Sequence, residues 1–197
     1  LDLSDLCEPL EIAGPGFINF RLRNGVLAGA AEGVRTDPQR GIAATPTPQT
    51  VVLDYSAPNV AKQMHVGHLR TTIIGDCFRR VLSAVGNTVI AQNHIGDWGT
   101  QFGMLIEQIL DERIDAASLS LADADELYKR AAASFKADPD FATRARARVA
   151  VFQSGDEESL AIWRQLLEVS KDGFNAAYAR LNVLLTDEDL AGESTYN

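Results

Sequence analysis

Several classes of protein are excluded by what this 197-residue sequence has little of. Its two cysteines, Cys7 and Cys77, provide neither a disulfide framework nor a CxxC metal pattern, which fits a reducing cytoplasm. No apolar run approaches the ~20 residues that span a bilayer, and no segment resembles a secretory leader. A self-sufficient nucleic-acid surface is not expected, because 18 lysines and arginines stand against 27 aspartates and glutamates. We therefore expect a cytoplasmic globular protein without a membrane segment.

Composition divides the chain into three segments. Residues 1–34 predict a turn at Gly14-Pro15-Gly16, a strand after it and a short helix, which is a partial α+β domain without an independent core. Residues 35–50 contain three prolines and little apolar material, which predicts a linker. Residues 51–197 remain for the main domain.

The main domain opens with the pattern of a βαβ unit. Val51–Leu53 is a short apolar run, typical of a strand that is buried on both faces of a parallel sheet. A helix is predicted from about 65 to 85, Gly86-Asn87 ends it, and Thr88–Ala91 forms the next strand. The apolar positions expected on one stripe of this helix are Val66, Leu69, Ile73, Ile74, Phe78, Val81, Leu82 and Val85.

From Gly103 onward the sequence predicts mainly helices. Apolar spacing indicates one that continues from Gly103 and others over about 121–136 and 140–152. A longer helix is expected after Ser154-Gly155-Asp156. Residues 181–185 are apolar enough to form a further strand.

Two of the three histidines flank a glycine at the predicted junction of strand and helix. His65, Gly67 and His68 lie there, and His94 follows the next predicted strand. The free N–H groups and the dipole of a helix N-terminus attract anions, so imidazoles at this place suggest phosphate chemistry. Gly67 has no side chain, which allows a nucleotide to approach the backbone. Ligands of βαβ units bind at the carboxyl ends of the strands, which carry these residues.

Other roles stay open for the same residues. The two neighbouring histidines could instead cap the helix. All three could ligate zinc, with Cys77 or Asp97 as a further ligand. Lys62 either meets a phosphate as a point charge or is a solvated surface lysine. Asp54 either pairs with a cationic substrate or only forms a turn.

Longer matches surround these residues. They are Asp54-Tyr-Ser-Ala-Pro-Asn-Val-Ala-Lys62, His65-Val-Gly-His-Leu-Arg-Thr-Thr-Ile-Ile-Gly-Asp76 and Asn93-His-Ile-Gly-Asp-Trp-Gly-Thr-Gln-Phe-Gly103. Together they closely resemble the arginyl-tRNA synthetases, a family of class I aminoacyl-tRNA synthetases, over roughly residues 51–106. Gly14-Pro-Gly-Phe-Ile-Asn19 resembles the end of that family's N-terminal additional domain. Leu190-Ala-Gly-Glu-Ser-Thr-Tyr196 resembles a segment of its catalytic domain.

The resemblance implies an α/β fold, the first half of a class I synthetase (HUP-type, Rossmann-like) parallel-sheet nucleotide fold. A helical insertion would cover about 108–180, within a partial catalytic domain of residues 51–197. Residues 1–34 would be a remnant of the additional domain and 35–50 the linker. The family's KMSKS-type loop and its helical anticodon-binding domain are not in this chain, so we expect a fragment that is inactive alone.

The resemblance also implies a reaction. ATP, as its Mg²⁺ complex, would activate L-arginine to arginyl-adenylate, and the arginine would then pass to tRNA(Arg), bound mainly through domains absent here. The implied ATP contacts are Lys62, His65, Gly67 and His68, with the two histidines as catalytic residues. The implied arginine contacts are Asp54, Ala57, Pro58, Asn59 and His68, and the crevice residues are His94 and Asp97. No tightly bound metal is expected, and the parent enzyme is expected to be a cytoplasmic monomer.

Two other functions fit part of the pattern. Small nucleotidylyltransferases also use HxGH at a βαβ junction, although they need no counterpart of the segment from Asp54 to Asn59. A truncated synthetase paralogue could keep the same residues as a binding module without catalysis.

Overall fold

The computed structural model describes residues 2–196, which divide into two compact units. One unit contains the chain up to Pro48 together with Ala84–Asn87, and the other contains Gln49–Ser83 and the chain from Thr88 onward. The second unit carries every residue that the sequence assigns to a site.

The first unit contains a small hairpin and one helix. Strands β1 (Glu11–Ala13) and β2 (Phe17–Asn19) pair antiparallel, with Glu11 opposite Asn19. Gly14 and Gly16, at φ +60° and +113°, make the turn between them, so the predicted turn and following strand are confirmed. Helix α1 (Asn24–Thr36) has no buried residue, and it ends inside the segment 35–50 predicted as a linker.

The predicted βαβ unit is confirmed in the second unit. Strands β3 (Thr50–Asp54) and β4 (Thr88–Gln92) pair in parallel, with Thr50 opposite Thr88 and Asp54 opposite Gln92. Helix α2 (Val66–Ala84) connects them and is followed by Gly86, which has a positive φ of +91°. The carboxyl ends of both strands therefore open at the same edge, where the predicted site residues follow.

The prediction that β3 is buried on both faces is wrong for the part of the chain that the structure describes. Val52 of β3 and Ile90 of β4 lie opposite each other and are 62% and 45% exposed, so one face of this sheet is open among residues 2–196. The apolar stripe of α2 is largely exposed as well: Val66, Ile73, Ile74, Phe78 and Val81. The buried face of α2 is instead polar and contains Thr72 and Asp76.

Four helices follow as the spacing predicts, and they surround the larger core. They are α3 (Thr100–Glu112), α4 (Leu121–Ala137), α5 (Pro139–Gln153) and α6 (Glu157–Leu181). The largest fully buried side chains among them are Phe102, Leu105, Ile106, Ile109, Leu127, Phe152, Leu166 and Phe174. Among the described residues, no helix combines the length and the apolar character that crossing a membrane requires.

The predicted strand at 181–185 is wrong. Helix α6 continues to Leu181, and Asn182 ends it in the left-handed conformation at φ +55°. Residues 183–186 then form an irregular segment in which Leu185 is buried. Val183 and Leu185 contact the core without pairing as a strand, while Leu181 and Leu184 are 38% and 40% exposed.

A buried carboxylate joins α3 to α5. Glu107, whose side chain is 8% exposed, accepts hydrogen bonds from Arg144 Nε at 2.8 Å and Arg148 Nε at 3.0 Å. The two arginines are four residues apart and therefore project from the same side of α5. The backbones approach closely here, because a Cβ on Gly103 would lie 2.3 Å from the carbonyl oxygen of Ala145.

Gly75 lets α2 approach the end of β3, and this contact provides a test of the fold. A Cβ on Gly75 would lie 2.3 Å from Cβ and Cγ of the buried Tyr55. We expect Gly75→Ala to lower the free energy of unfolding by about 1–3 kcal/mol, because Tyr55 or α2 must move. Urea denaturation followed by circular dichroism measures the change.

Gly29→Ala is the matched control for this substitution. Gly29 also lies inside a helix, α1, but a Cβ there meets nothing within 4 Å. The control should gain roughly 0.5–1 kcal/mol from the better helix former. Equal effects of the two substitutions would contradict the close contact at Gly75.

Candidate active site

The segment between β3 and α2 has an unusual backbone. Ser56, Ala57 and Ala61 have φ values of +78°, +47° and +59°, in the left-handed region that side chains disfavour. Each such residue costs about 1–3 kcal/mol and persists only where the surroundings hold it. The segment that follows β3 is therefore held by tertiary contacts.

Hydrogen bonds to the chain after β4 provide part of that support. Ala57 N–H donates to Oδ1 of the buried Asn93 at 2.9 Å. Gly96 N–H donates to the carbonyl of Pro58, and Val60 N–H donates to the carbonyl of Gly96, each at 3.3 Å. The two segments that follow the strands thus lie side by side, as their position in the sequence predicts.

His65 and His68 form a stacked pair at the N-terminus of α2. Their ring centroids are 3.8 Å apart, with 22° between the planes. His65 Nδ1 accepts from Gly67 N–H at 3.1 Å, and His68 Nδ1 accepts from His65 N–H at 3.2 Å. Because both Nδ1 atoms accept, each neutral ring carries its proton on Nε2. Neither Nε2 has a hydrogen-bond partner among residues 2–196, so two donors are presented beside the helix N-terminus.

Gly67 has a structural reason to lack a side chain. A Cβ there would lie 2.9 Å from Cε1 and 3.0 Å from Nδ1 of His65. The His65 ring caps the first turn of α2, so the capping role left open by the sequence is present. It leaves Nε2 free, and capping is therefore compatible with binding an anion.

Threonine hydroxyls fix the backbone of His68. Thr71 Oγ1 and Thr72 Oγ1 donate to the carbonyl of His68 at 3.0 Å and 2.7 Å. Partial burial lowers the pKa of His68, and the nearby charges of His65 and Lys62 lower it further. The lowered pKa favours the neutral form of His68, in which Nε2–H is the donor.

Lys62 lies against an aromatic ring. Its Nζ is 3.8 Å from the centroid of the Tyr128 ring, which is a cation–π contact with α4. The Tyr128 ring fixes the position of the ammonium group. Lys62 is therefore not the freely solvated surface lysine that the sequence left open as one possibility.

Asp54 and His94 form a pair at the carboxyl ends of β3 and β4. His94 Nδ1 lies 3.0 Å from Asp54 Oδ2, and the Asp54 side chain is 53% exposed. On the other side of the ring, His94 Nε2 lies 2.7 Å from the hydroxyl of Tyr196. A carboxylate, an imidazole and a phenol are therefore connected at this edge.

Asp97 occupies a different environment from His94. It is 1% exposed, and its oxygens accept from Ser194 N–H at 3.0 Å and Ser194 Oγ at 2.7 Å. A Cβ on Gly192 would lie 2.3 Å from Asp97 Oδ2. The carboxylate is hydrogen-bonded to Ser194 and packs against Gly192. The resemblance, in contrast, implies that Asp97 faces a crevice beside His94.

Sequence reasoning missed a buried polar cluster under this segment. The hydroxyl of Tyr178 lies 2.7 Å from Ser56 Oγ and accepts from Asn93 Nδ2 at 3.1 Å. Burial raises the pKa of Tyr178, while the two hydrogen bonds lower it. Tyr178 lies on the apolar stripe of α6, and only its hydroxyl could have indicated a polar role.

The described residues contain no group of three or more histidine, cysteine, aspartate or glutamate side chains placed to hold a metal ion. His65 and His68 contact each other, while His94 contacts Asp54.

Comparison with known proteins identifies the family. The model of the tRNA synthetases class I (R), catalytic domain, matches residues 34–197. The chain belongs to this family. The α/β fold of a class I synthetase predicted from the sequence is thereby confirmed.

Curated relatives of this class I synthetase domain match its sequence along the whole chain. It is 64% identical over 197 residues to the arginine--tRNA ligase of Cutibacterium acnes, and the match covers 100% of the chain and 35% of the relative. The arginine--tRNA ligase of Thermobifida fusca is 53% identical over 199 residues, with 100% and 34% covered. The chain thus spans about a third of the length of the curated relatives it matches.

Solved arginyl-tRNA synthetases share the fold. The structure from Thermus thermophilus matches with a TM-score of 0.65 and 25% identity, over 98% of this chain and 31% of that one. The structure from Plasmodium falciparum matches with a TM-score of 0.59 and 28% identity, over 97% of this chain and 34% of that one.

The environment of His68 predicts its titration. We expect the pKa of His68, measured by NMR on the 197-residue chain, to lie below the ordinary value of 6.5. The folded chain then binds fewer protons than the unfolded chain below pH 6.5, so His68 lowers stability as the pH falls through that window. Lys62→Gln removes a nearby positive charge and should raise the pKa of His68.

Lys136→Gln, which removes an exposed lysine at the end of α4, is the matched control and should leave the titration unchanged. A pKa of His68 at or above the ordinary value would contradict the described environment.

Proposed function

We propose that this chain forms the part of an arginine–tRNA ligase that brings ATP and L-arginine together for activation. The observation that carries the proposal is the stacked pair of His65 and His68, whose Nε2–H donors lie unpaired at the start of α2. The names of the relatives add the substrate class. ATP enters as its Mg²⁺ complex.

In this proposal the histidines act on the phosphates. An arginine carboxylate oxygen bonds to the α-phosphorus of ATP, and the bond to the bridging oxygen breaks, so that pyrophosphate leaves with the electron pair. Negative charge grows on the phosphate oxygens as this happens. The Nε2–H groups of His65 and His68, fixed by their Nδ1 bonds, stabilise that charge without having to reorient. Gly67, which has no side chain, leaves room for the His65 ring, and Lys62 adds a positive charge beside the two histidines.

The arginine would lie against the segment that follows β3. Ala57, Pro58 and Asn59 provide its backbone and an amide, and the half-exposed carboxylate of Asp54 suits a guanidinium or ammonium group. His94, 3.0 Å from Asp54, would set the orientation of that carboxylate. The buried Asp97 would support the site by holding Ser194.

Transfer of arginine to tRNA(Arg) would depend on regions outside this third of the relatives' length. As an enzyme of translation, such a ligase would act in the cytoplasm.

A chimera tests the proposal. The chain replaces the matched segment of the Cutibacterium acnes ligase, with which it is 64% identical. ATP–pyrophosphate exchange is then measured with arginine and tRNA(Arg). We expect arginine-dependent exchange by the chimera and none by the 197-residue chain alone, whose described sheet has only two strands.

A chimera with the same junctions but the Thermobifida fusca segment controls for the junctions themselves. If this control is active, three results contradict the proposal. Exchange without arginine indicates a nucleotidylyltransferase, binding without exchange indicates a non-catalytic module, and complete inactivity removes the activation role.

His68 provides the sharpest prediction within that chimera. His68→Ala should lower the activation rate by ~10²-fold or more, because an Nε2–H donor to the transition state is lost. Cys77→Ala, on an exposed face of the same helix, is the control and should keep full activity. Unchanged exchange by His68→Ala would remove its assignment, and loss of activity in both variants together with bound zinc would favour a metal site.

A further inference from the structure

Helix α6 contacts the left-handed segment after β3 at two points. Three of the six described non-glycine residues with positive φ lie in this segment: Ser56, Ala57 and Ala61. The same segment carries the proposed arginine contacts, and it leads to His65. What holds its backbone therefore bears on the geometry of the proposed arginine contacts.

Tyr178 is the first contact point. Its hydroxyl lies 2.7 Å from Ser56 Oγ and accepts from Asn93 Nδ2 at 3.1 Å, and Asn93 Oδ1 accepts from Ala57 N–H at 2.9 Å. Tyr178, Ser56 and Asn93 are 3%, 3% and 0% exposed. The Tyr178 hydroxyl thus reaches two of the three left-handed residues, Ser56 directly and Ala57 through the Asn93 amide, where water does not compete.

The same cluster continues to His68. Thr72 Oγ1 lies 2.8 Å from Ser56 Oγ and 2.7 Å from the carbonyl oxygen of His68, and Thr72 is fully buried. A continuous series of hydroxyl contacts therefore connects Tyr178 on α6 with the first turn of α2. Removing the phenol leaves Ser56 Oγ and the Asn93 amide each short of a buried partner.

Ser170 is the second contact point. Its Oγ accepts from Ala61 N–H at 2.8 Å, and it donates to the carbonyl of Leu166 at 2.6 Å in its own helix. Ser170 is 0% exposed. It lies eight residues before Tyr178, so both side chains project from the same side of α6.

We infer that Ser170 and Tyr178 are positioning residues, which set the left-handed conformation of Ser56, Ala57 and Ala61 and through it the arginine subsite. The conformational part depends only on the fold, and the effect on arginine rests on the proposed function. Neither hydroxyl contacts a substrate in this scheme. Each acts by holding the backbone that would contact the arginine.

NMR on the 197-residue chain tests the conformational part. A positive φ brings a residue's own amide and α protons unusually close, which gives a strong NOE between them. Tyr178→Phe removes only the hydroxyl, and we expect loss of the strong NOE at Ser56 and Ala57 with Ala61 unchanged. Ser170→Ala should weaken the NOE at Ala61 and leave Ser56 and Ala57 unchanged.

Ser159→Ala is the matched control for these variants. Ser159 is also a fully buried serine of α6, but its hydrogen bonds go to Asp156 and Arg148 instead of the segment 56–61. All three NOEs should stay strong in this variant. Unaltered NOEs in both Tyr178→Phe and Ser170→Ala would overturn the inference, and so would equal weakening in all three variants.

Exchange kinetics in the chimera test the link to arginine. Tyr178→Phe and Ser170→Ala should each raise KM for arginine about threefold to tenfold, as expected for one lost buried hydrogen bond, and change KM for ATP less than twofold. A merely structural role would lower the active fraction and leave both KM values unchanged. That result would overturn the positioning role even where the NOEs change.

The two parts fail separately. An inactive parent chimera contradicts the proposed function, while the NOE pattern still decides what holds the backbone. An active chimera whose variants keep the parent's KM for arginine contradicts only the positioning role.

Discussion

The left-handed backbone between β3 and α2 is the constraint on which the rest of the site depends. The chain passes from the strand to the helix through residues 55–65, and Ser56, Ala57 and Ala61 change its direction at positive φ. None of them is glycine, so local preference opposes the conformation. Partners that lie far away in the sequence hold it, namely Asn93 after β4 and Ser170 and Tyr178 on α6. The helical part of the molecule is therefore a support for the site as well as a separate core.

The elements could be predicted because their signals are local. Apolar spacing defines α3 to α6, and Asp138-Pro139 marks the boundary between α4 and α5 through a side-chain cap and a fixed φ. Gly86 marks the end of α2 through its positive φ. The false strand at 181–185 shows the limit of such signals. A short apolar run fits a strand or an irregular buried segment equally well, and only the position of its neighbours decides between them.

Burial was harder to predict than secondary structure. The stripe on α2 predicts a helix with one apolar side, but it does not state which side meets the described core. The structure buries Thr72 and Asp76 instead, because hydrogen bonds to Ser56 and to Leu184 N–H satisfy their polar atoms. A periodic pattern contains no information on such pairings, which join residues from distant parts of the chain.

The candidate site likewise contains features that could be predicted from local sequence and features that depend on distant residues. The histidine pair and its place at a helix N-terminus could be predicted from the sequence, since they lie within one short segment. Its proton arrangement could not, because it follows from the Nδ1 contacts of His65 and His68. The environment of Asp97 depends on Ser194, and the role of Tyr178 on Ser56, both across long separations.

The order in which the ribosome makes the chain determines when segment 189–196 can meet its partners after β4. Asn93 N–H donates to the carbonyl of Asp189, Ala191 N–H donates to that of Asn93, and Glu193 N–H donates to that of Ile95. The histidines, β3, β4 and α2 thus emerge about a hundred residues before the neighbours that segment 189–196 provides at this edge. During synthesis the nascent chain must keep Asn93 and Asp97 without these partners until the segment has left the exit tunnel. Assembly of this edge therefore waits for that segment, and an arrest of translation before residue 189 would leave the edge open.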